Sequence, residues 1–186
     1  MPVLKKIAAL AASLLPVGAL AATIGGTEYA VQYDYREFFN AADGKTFRVV
    51  LAGEPFAGTS IETVAPPLLA QMQAARPQPR LTFTYDAPAE RPRPDYRLVL
   101  VFHPAGDFGA PSVCAGDRPR LKPAAPGRFE VFAVYCRNDL ALSQTTAWTR
   151  ANGPDDPRIG ELFRELFPVV FSDAMGLRPQ AGGSMR

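Results

Sequence analysis

A single α+β domain, with a mostly antiparallel sheet and helices packed against it, is the fold class that this chain predicts, on three observations. Apolar residues recur at helical spacing in some segments and at every second position in others, so both element types are present. Nineteen prolines and fifteen glycines divide 186 residues into short pieces, which disfavours a helical bundle. Hydrophobic residues make up 47% of the chain and charged residues 20%, a globular balance at a length that supports one core but not two.

Taken in chain order, residues 22–26 are expected to be a flexible start and Tyr29–Tyr33 a short strand. Tyr35, Phe38, Phe39 and Ala42 then fall at helical spacing until Asp43-Gly44 stops the pattern, so a short amphipathic helix is predicted. Residues 46–51 alternate as a strand. Thr59 and Glu62 stand three apart as a capping box for a central helix over about 60–75, whose apolar positions are Ile61, Val64, Leu68, Leu69 and Met72. Pro66 and Pro67 are expected either to bend that helix or to delay its regular part until Val64.

Leu81, Phe83 and Tyr85 alternate with Thr82 and Thr84 as a half-buried strand. The nearly continuous apolar run 96–103 reads as a central strand covered on both faces. A long loop without periodicity is predicted from Pro104 to Arg128, followed by a hairpin of strands 129–136 and 140–150. Asp156 followed by Pro157 marks the start of a C-terminal helix over about 157–167, with Ile159, Leu162, Phe163 and Leu166 on its buried face and Pro168 at its end. The domain is thus expected over 22–171, with 172–186 a flexible tail.

Residues 1–21, MPVLKKIAALAASLLPVGALA, carry Lys5 and Lys6, a short apolar run and then Ala19-Leu20-Ala21. This is the pattern of a secretory signal peptide cut after Ala21, and the apolar run is too short to span a bilayer. The expectation is a periplasmic or secreted chain with no transmembrane segment after cleavage. In that oxidising setting Cys114 and Cys136 are predicted to form a disulfide that ties down the long loop between them. Closing such a loop is worth about 3 kcal/mol on the chain-entropy estimate.

Loss of the leader lowers the formal charge from +2 to 0, because Lys5 and Lys6 leave and no acid precedes Glu28. A neutral chain lacks the field of a nucleic-acid binder.

Few residues carry recognisable chemistry. Gly53-x-x-x-x-Gly58-Thr59-Ser60 lies between a strand and a helix, as a phosphate-binding loop does, but has no lysine where one is needed. It reads as a glycine-permitted turn with a helix cap, or as a contact surface made of Gly53, Phe56, Gly58, Thr59 and Ser60, with Phe56 either an exposed anchor or a core plug. His103 is the only histidine, so any triad or His-based proton relay must use it. No catalytic, metal or cofactor set is assigned. Arg118, Arg120, Lys122 and Arg128 gather in the disulfide-bounded loop as a solvated face or a docking patch for an acidic or glycan partner.

The stretches VVLAGEPFAGTS, FAVYCRNDLALS and GPDDPRIGELFRELFP together resemble small exported proteobacterial proteins to which no function is assigned. The resemblance implies export and carries no catalytic pattern. The expectation is a binding or accessory module of the cell envelope, with an envelope protein or glycan as partner and no cofactor. The alternative is a periplasmic hydrolase of unknown substrate using His103.

Overall fold

A long hairpin forms the centre of the molecule in the computed structural model, which describes residues 22–90 and 92–174. Strands β5 (Arg128–Arg137) and β6 (Leu140–Arg150) pair antiparallel through a turn where Asn138 adopts a left-handed backbone at φ 52°. Asn at such a position carries little strain. The full sheet also contains β1 (Thr23–Tyr29), β2 (Lys45–Ala52), β3 (Leu81–Thr84) and β4 (Tyr96–Phe102), in the order β1-β6-β5-β4-β2-β3. The β1–β6, β6–β5 and β5–β4 pairings are antiparallel, whereas β2 runs parallel to both β4 and β3. The expected α+β domain with a mostly antiparallel sheet is therefore present, with β4, β2 and β3 adding a parallel unit at one side.

Three helices cover one face: α1 (Tyr35–Ala42), α2 (Ile61–Ala74) and, after the short α3 (Ala110–Ala115) on the opposite face, α4 (Pro157–Val170). Between them and the sheet lies the main core. Phe38, Phe47, Tyr135 and Phe171 meet there ring to ring, with centroid separations from 4.1 to 6.1 Å. β4 is buried along nearly its whole length, as its nearly continuous apolar run predicts.

The start of α4 is as predicted. Asp156 is the N-cap and accepts from the backbone N–H of Arg158 at 3.1 Å, with Pro157 next. Its end differs, because Pro168 lies inside the helix. An N–H missing in the last turn costs only one hydrogen bond, and the terminal carbonyls find other donors. The Tyr29 hydroxyl donates to the Val169 carbonyl, Ser143 Oγ to that of Val170 at 2.6 Å, and the Tyr33 hydroxyl to that of Ser172 at 2.9 Å.

Three further expectations are corrected. The first strand is Thr23–Tyr29, not 29–33, and the start expected to be flexible pairs with β6. Gly25 serves that pairing: a Cβ there would sit 2.1 Å from Thr146 Oγ1. The N-cap of the central helix is Ser60, one residue after the predicted cap, and its hydroxyl faces Thr63 Oγ1 at 3.2 Å, so Thr59 and Glu62 form no capping box. Of the two outcomes expected for Pro66 and Pro67, the delayed start does not occur, since both stand within α2. The loop 104–128 is not structureless, since it contains α3 and the bridge Pro104–Leu121. The leader 1–21 and the tail from 175 lie outside the described residues.

Candidate functional site

Gly53 through Ser60 connects β2 to α2, and the fold uses most of it internally. Gly53 has φ 90°, and a Cβ there would lie 2.8 Å from the Phe102 carbonyl oxygen, so the close approach that its glycine permits is to β4 of the same chain. Phe56 is 9% exposed and packs on Phe129 with ring centroids 5.8 Å apart. It is a core plug and cannot act as the exposed anchor. Gly58, with φ 71° and open space around it, and Ser60 remain at the surface, while Thr59 is half-buried with its N–H bonded to the Phe56 carbonyl.

His103 follows β4 and is 2% exposed. Its backbone is left-handed at φ 48°, its N–H donates to the Glu130 carbonyl, its carbonyl accepts from Lys122 N–H at 2.7 Å, and Nε2 lies 3.2 Å from the Pro55 carbonyl oxygen. Imidazole and backbone together tie three chain segments, which is a structural position. Ligands of parallel strands usually sit at the strands' carboxyl ends. Here Gly53, Pro55, His103 and Leu121 fill that end of β2 and β4.

Cys114 and Cys136 are joined with an S–S distance of 1.95 Å, as predicted. The bridge fastens α3 to β5 over a second, smaller core of Val99, Val101, Val113, Phe132 and Val134. A second fastening comes from Arg97, buried on β4, which donates to the Cys114 carbonyl and pairs with the buried Asp95 at 3.0 Å. The basic residues of this loop are mostly neutralised locally. Arg120 pairs with Asp107, while Lys122 and Arg128 reach Glu130 at 3.4 and 2.9 Å. Arg128 also stacks over the Trp148 ring at 4.1 Å. A docking patch made of all four cations is thus reduced to Arg118, the member without such an ion pair among the described residues.

The opposite end of the parallel unit has an open cleft of about 560 Å³ between α1, the start of β2 and the segment before β4. Its functional side chains come from separate elements. α1 starts at the N-cap Asp34, whose carboxylate accepts from Arg36 N–H at 2.8 Å, and its buried Phe38 fixes the helix rotation so that Arg36, Glu37 and Asn40 line the cleft. Lys45 Nζ donates to the Asn40 carbonyl at 2.7 Å. Tyr96 forms part of the floor, with Pro92 and Pro94 beside it.

A fixed polar network underlies this cleft. The two Glu37 oxygens accept from Arg137 Nη1 at 2.8 and 2.9 Å, and Glu37 also accepts from the Tyr96 hydroxyl. Burial and then the adjacent Glu37 carboxylate push the Tyr96 hydroxyl up to about 12. Tyr96 therefore stays a neutral donor at ordinary pH, and its ring stacks at 6.2 Å on Tyr135. The buried Tyr135 hydroxyl has no hydrogen-bond partner among the described residues, and burial raises its pKa far above the ordinary phenol value. The cleft can orient a polar ligand through charge and hydrogen bonds. Among the described residues no three His, Cys, Asp or Glu side chains form a metal-binding group.

The cleft residues form no local functional pattern in the sequence. The partners Glu37 and Arg137 are 100 positions apart, and only Tyr35, Phe38, Phe39 and Ala42 of α1 carried a readable pattern. Comparison with protein-family models, with curated proteins and with solved structures finds no match.

Proposed function

We propose that this chain is an exported binding module of the cell envelope and that it engages a polar partner, a protein segment or a glycan, in the cleft beside α1. The observation that carries the reading is the Tyr96–Glu37–Arg137 network, in which Arg137 and the Tyr96 hydroxyl hold the Glu37 carboxylate in a fixed position at the cleft lined by Glu37, Tyr96, Arg36 and Lys45, so that less ordering remains to be done there on binding. The leader pattern of residues 1–21 and the closed Cys114–Cys136 pair support export. A binding role also accords with His103, which offers a substrate no exposed base.

Production of the full chain in its own host, followed by mass spectrometry and affinity capture, tests both halves of the proposal. The exported form should begin at Ala22. Asn40→Trp, at an exposed position, fills the cleft and should weaken partner recovery at least about tenfold with an unchanged melting temperature. Ala57→Trp in the exposed part of the 53–60 loop should leave recovery intact. The opposite pattern would return the contact surface to that loop, and retention of residues 1–21 on a cytoplasmic protein would refute export.

A further inference from the structure

The sheet has two outer strands, β1 and β3, and an outer strand presents unpaired backbone groups to which another chain can add. At β3 two of those groups are already bonded. Gln73, on the last turn of α2, donates from Nε2 to the Leu81 carbonyl at 3.0 Å and accepts at Oε1 from the Phe83 N–H at 2.8 Å. In a parallel ladder, a residue of the neighbouring strand makes the same two bonds, donating to the carbonyl before its opposite number and accepting from the N–H after it. The carboxamide of Gln73 thus stands opposite Thr82 where a seventh strand would lie. A primary amide suits the position because it carries a donor and an acceptor in one plane, as a peptide group does.

The segment that needs this protection is recognisable. Leu81-Thr82-Phe83-Thr84-Tyr85 is uncharged, β-prone and flanked by Arg80 and Asp86, the composition of a strand that pairs readily with copies of itself. Leu81 and Phe83 are buried, so β3 cannot turn its edge away from solvent without opening the core.

We propose that Gln73 is an edge guard: its side-chain amide closes β3 to strand addition, above all to β3 of a second copy of this chain. The claim is independent of any ligand in the cleft. Gln73→Leu keeps the side-chain volume and removes both bonds. In that variant, hydrogen exchange at the Phe83 amide should accelerate at least about tenfold, and self-association measured by sedimentation should strengthen about tenfold over wild type.

Gln73→Glu supplies a second arm. At neutral pH its carboxylate still accepts from Phe83 but faces the Leu81 carbonyl without a proton to donate, so the variant should also associate. Protonation restores a donor and an acceptor, so its excess association over wild type should disappear as the pH falls through the carboxyl range. A folded Gln73→Leu with wild-type self-association, or with unchanged Phe83 exchange, would overturn the proposal. Should Gln73→Leu not fold, an association of Gln73→Glu that does not respond to pH would overturn it instead.

Discussion

Asp156 fixes the start of α4 with one carboxylate. It accepts from the backbone N–H of Arg158 and from the Arg158 guanidinium at 2.8 and 2.6 Å, and that side-chain pairing holds its carboxyl down to about 2. A pKa lowered in the folded state contributes stability that is complete above the unfolded value near 4 and is lost as the pH falls through about 2. Asp156→Ala should therefore cost about 1 kcal/mol in urea denaturation at pH 7. The gap between variant and wild type should narrow towards pH 2, and a gap of constant size would show that the carboxylate charge is not what caps the helix. Tyr135 gives the opposite expectation. Its ring packs against Phe38, Phe47 and Phe171, while its hydroxyl is buried without a partner among the described residues. Tyr135→Phe keeps the ring and removes the unsatisfied group, so stability should rise by about 1 kcal/mol; a loss of that size would reveal a partner for the hydroxyl.

Among the elements, α4 was fully legible at its start because Asp156 and Pro157 act locally, through a cap and a preset φ. Apolar runs likewise mark β4 and β5, and β6 follows as the return strand after the turn at Arg137-Asn138-Asp139. The elements that escaped are those whose order comes from elsewhere in the chain. β1 carries Gly25-Gly26, which interrupts any alternation, and its pairing depends on β6 more than 110 residues away. α3 has only six residues, with Pro111 in its first turn, and is below the length at which a helix signals itself. Two tethers make up for that shortness, the disulfide and the bond from Arg97 to the Cys114 carbonyl. Cys114→Ala with Cys136→Ala should accordingly lower stability by about 3 kcal/mol. Exchange should quicken in α3 and the 104–127 loop first, while β4 and β5 stay protected by the main core. Equal acceleration across the whole sheet would mean that the bridge holds the domain rather than the loop.

At the scale of the whole molecule, the described elements put the carboxyl ends of β2 and β4 under loops that fill them and leave a cleft at the opposite end. The glycines and helix start of the 53–60 loop form a local pattern in the sequence, whereas the cleft draws on α1, β2 and β4, with Arg137 of β5 bonded to Glu37, and has no local signature. Arg137, which ends β5, meets Glu37 only because β5 and β4 bring the end of the hairpin under α1. The central claim, that recognition takes place in this cleft, is tested most directly by a photo-crosslinking amino acid placed in the full chain in its own host, in turn at Asn40 in the cleft and at Ala57 on the 53–60 loop. The account predicts a discrete cross-linked partner from Asn40, lost when Arg36→Glu reverses a charge at the cleft wall, and none from Ala57. A partner captured from Ala57 and not from Asn40 would contradict it.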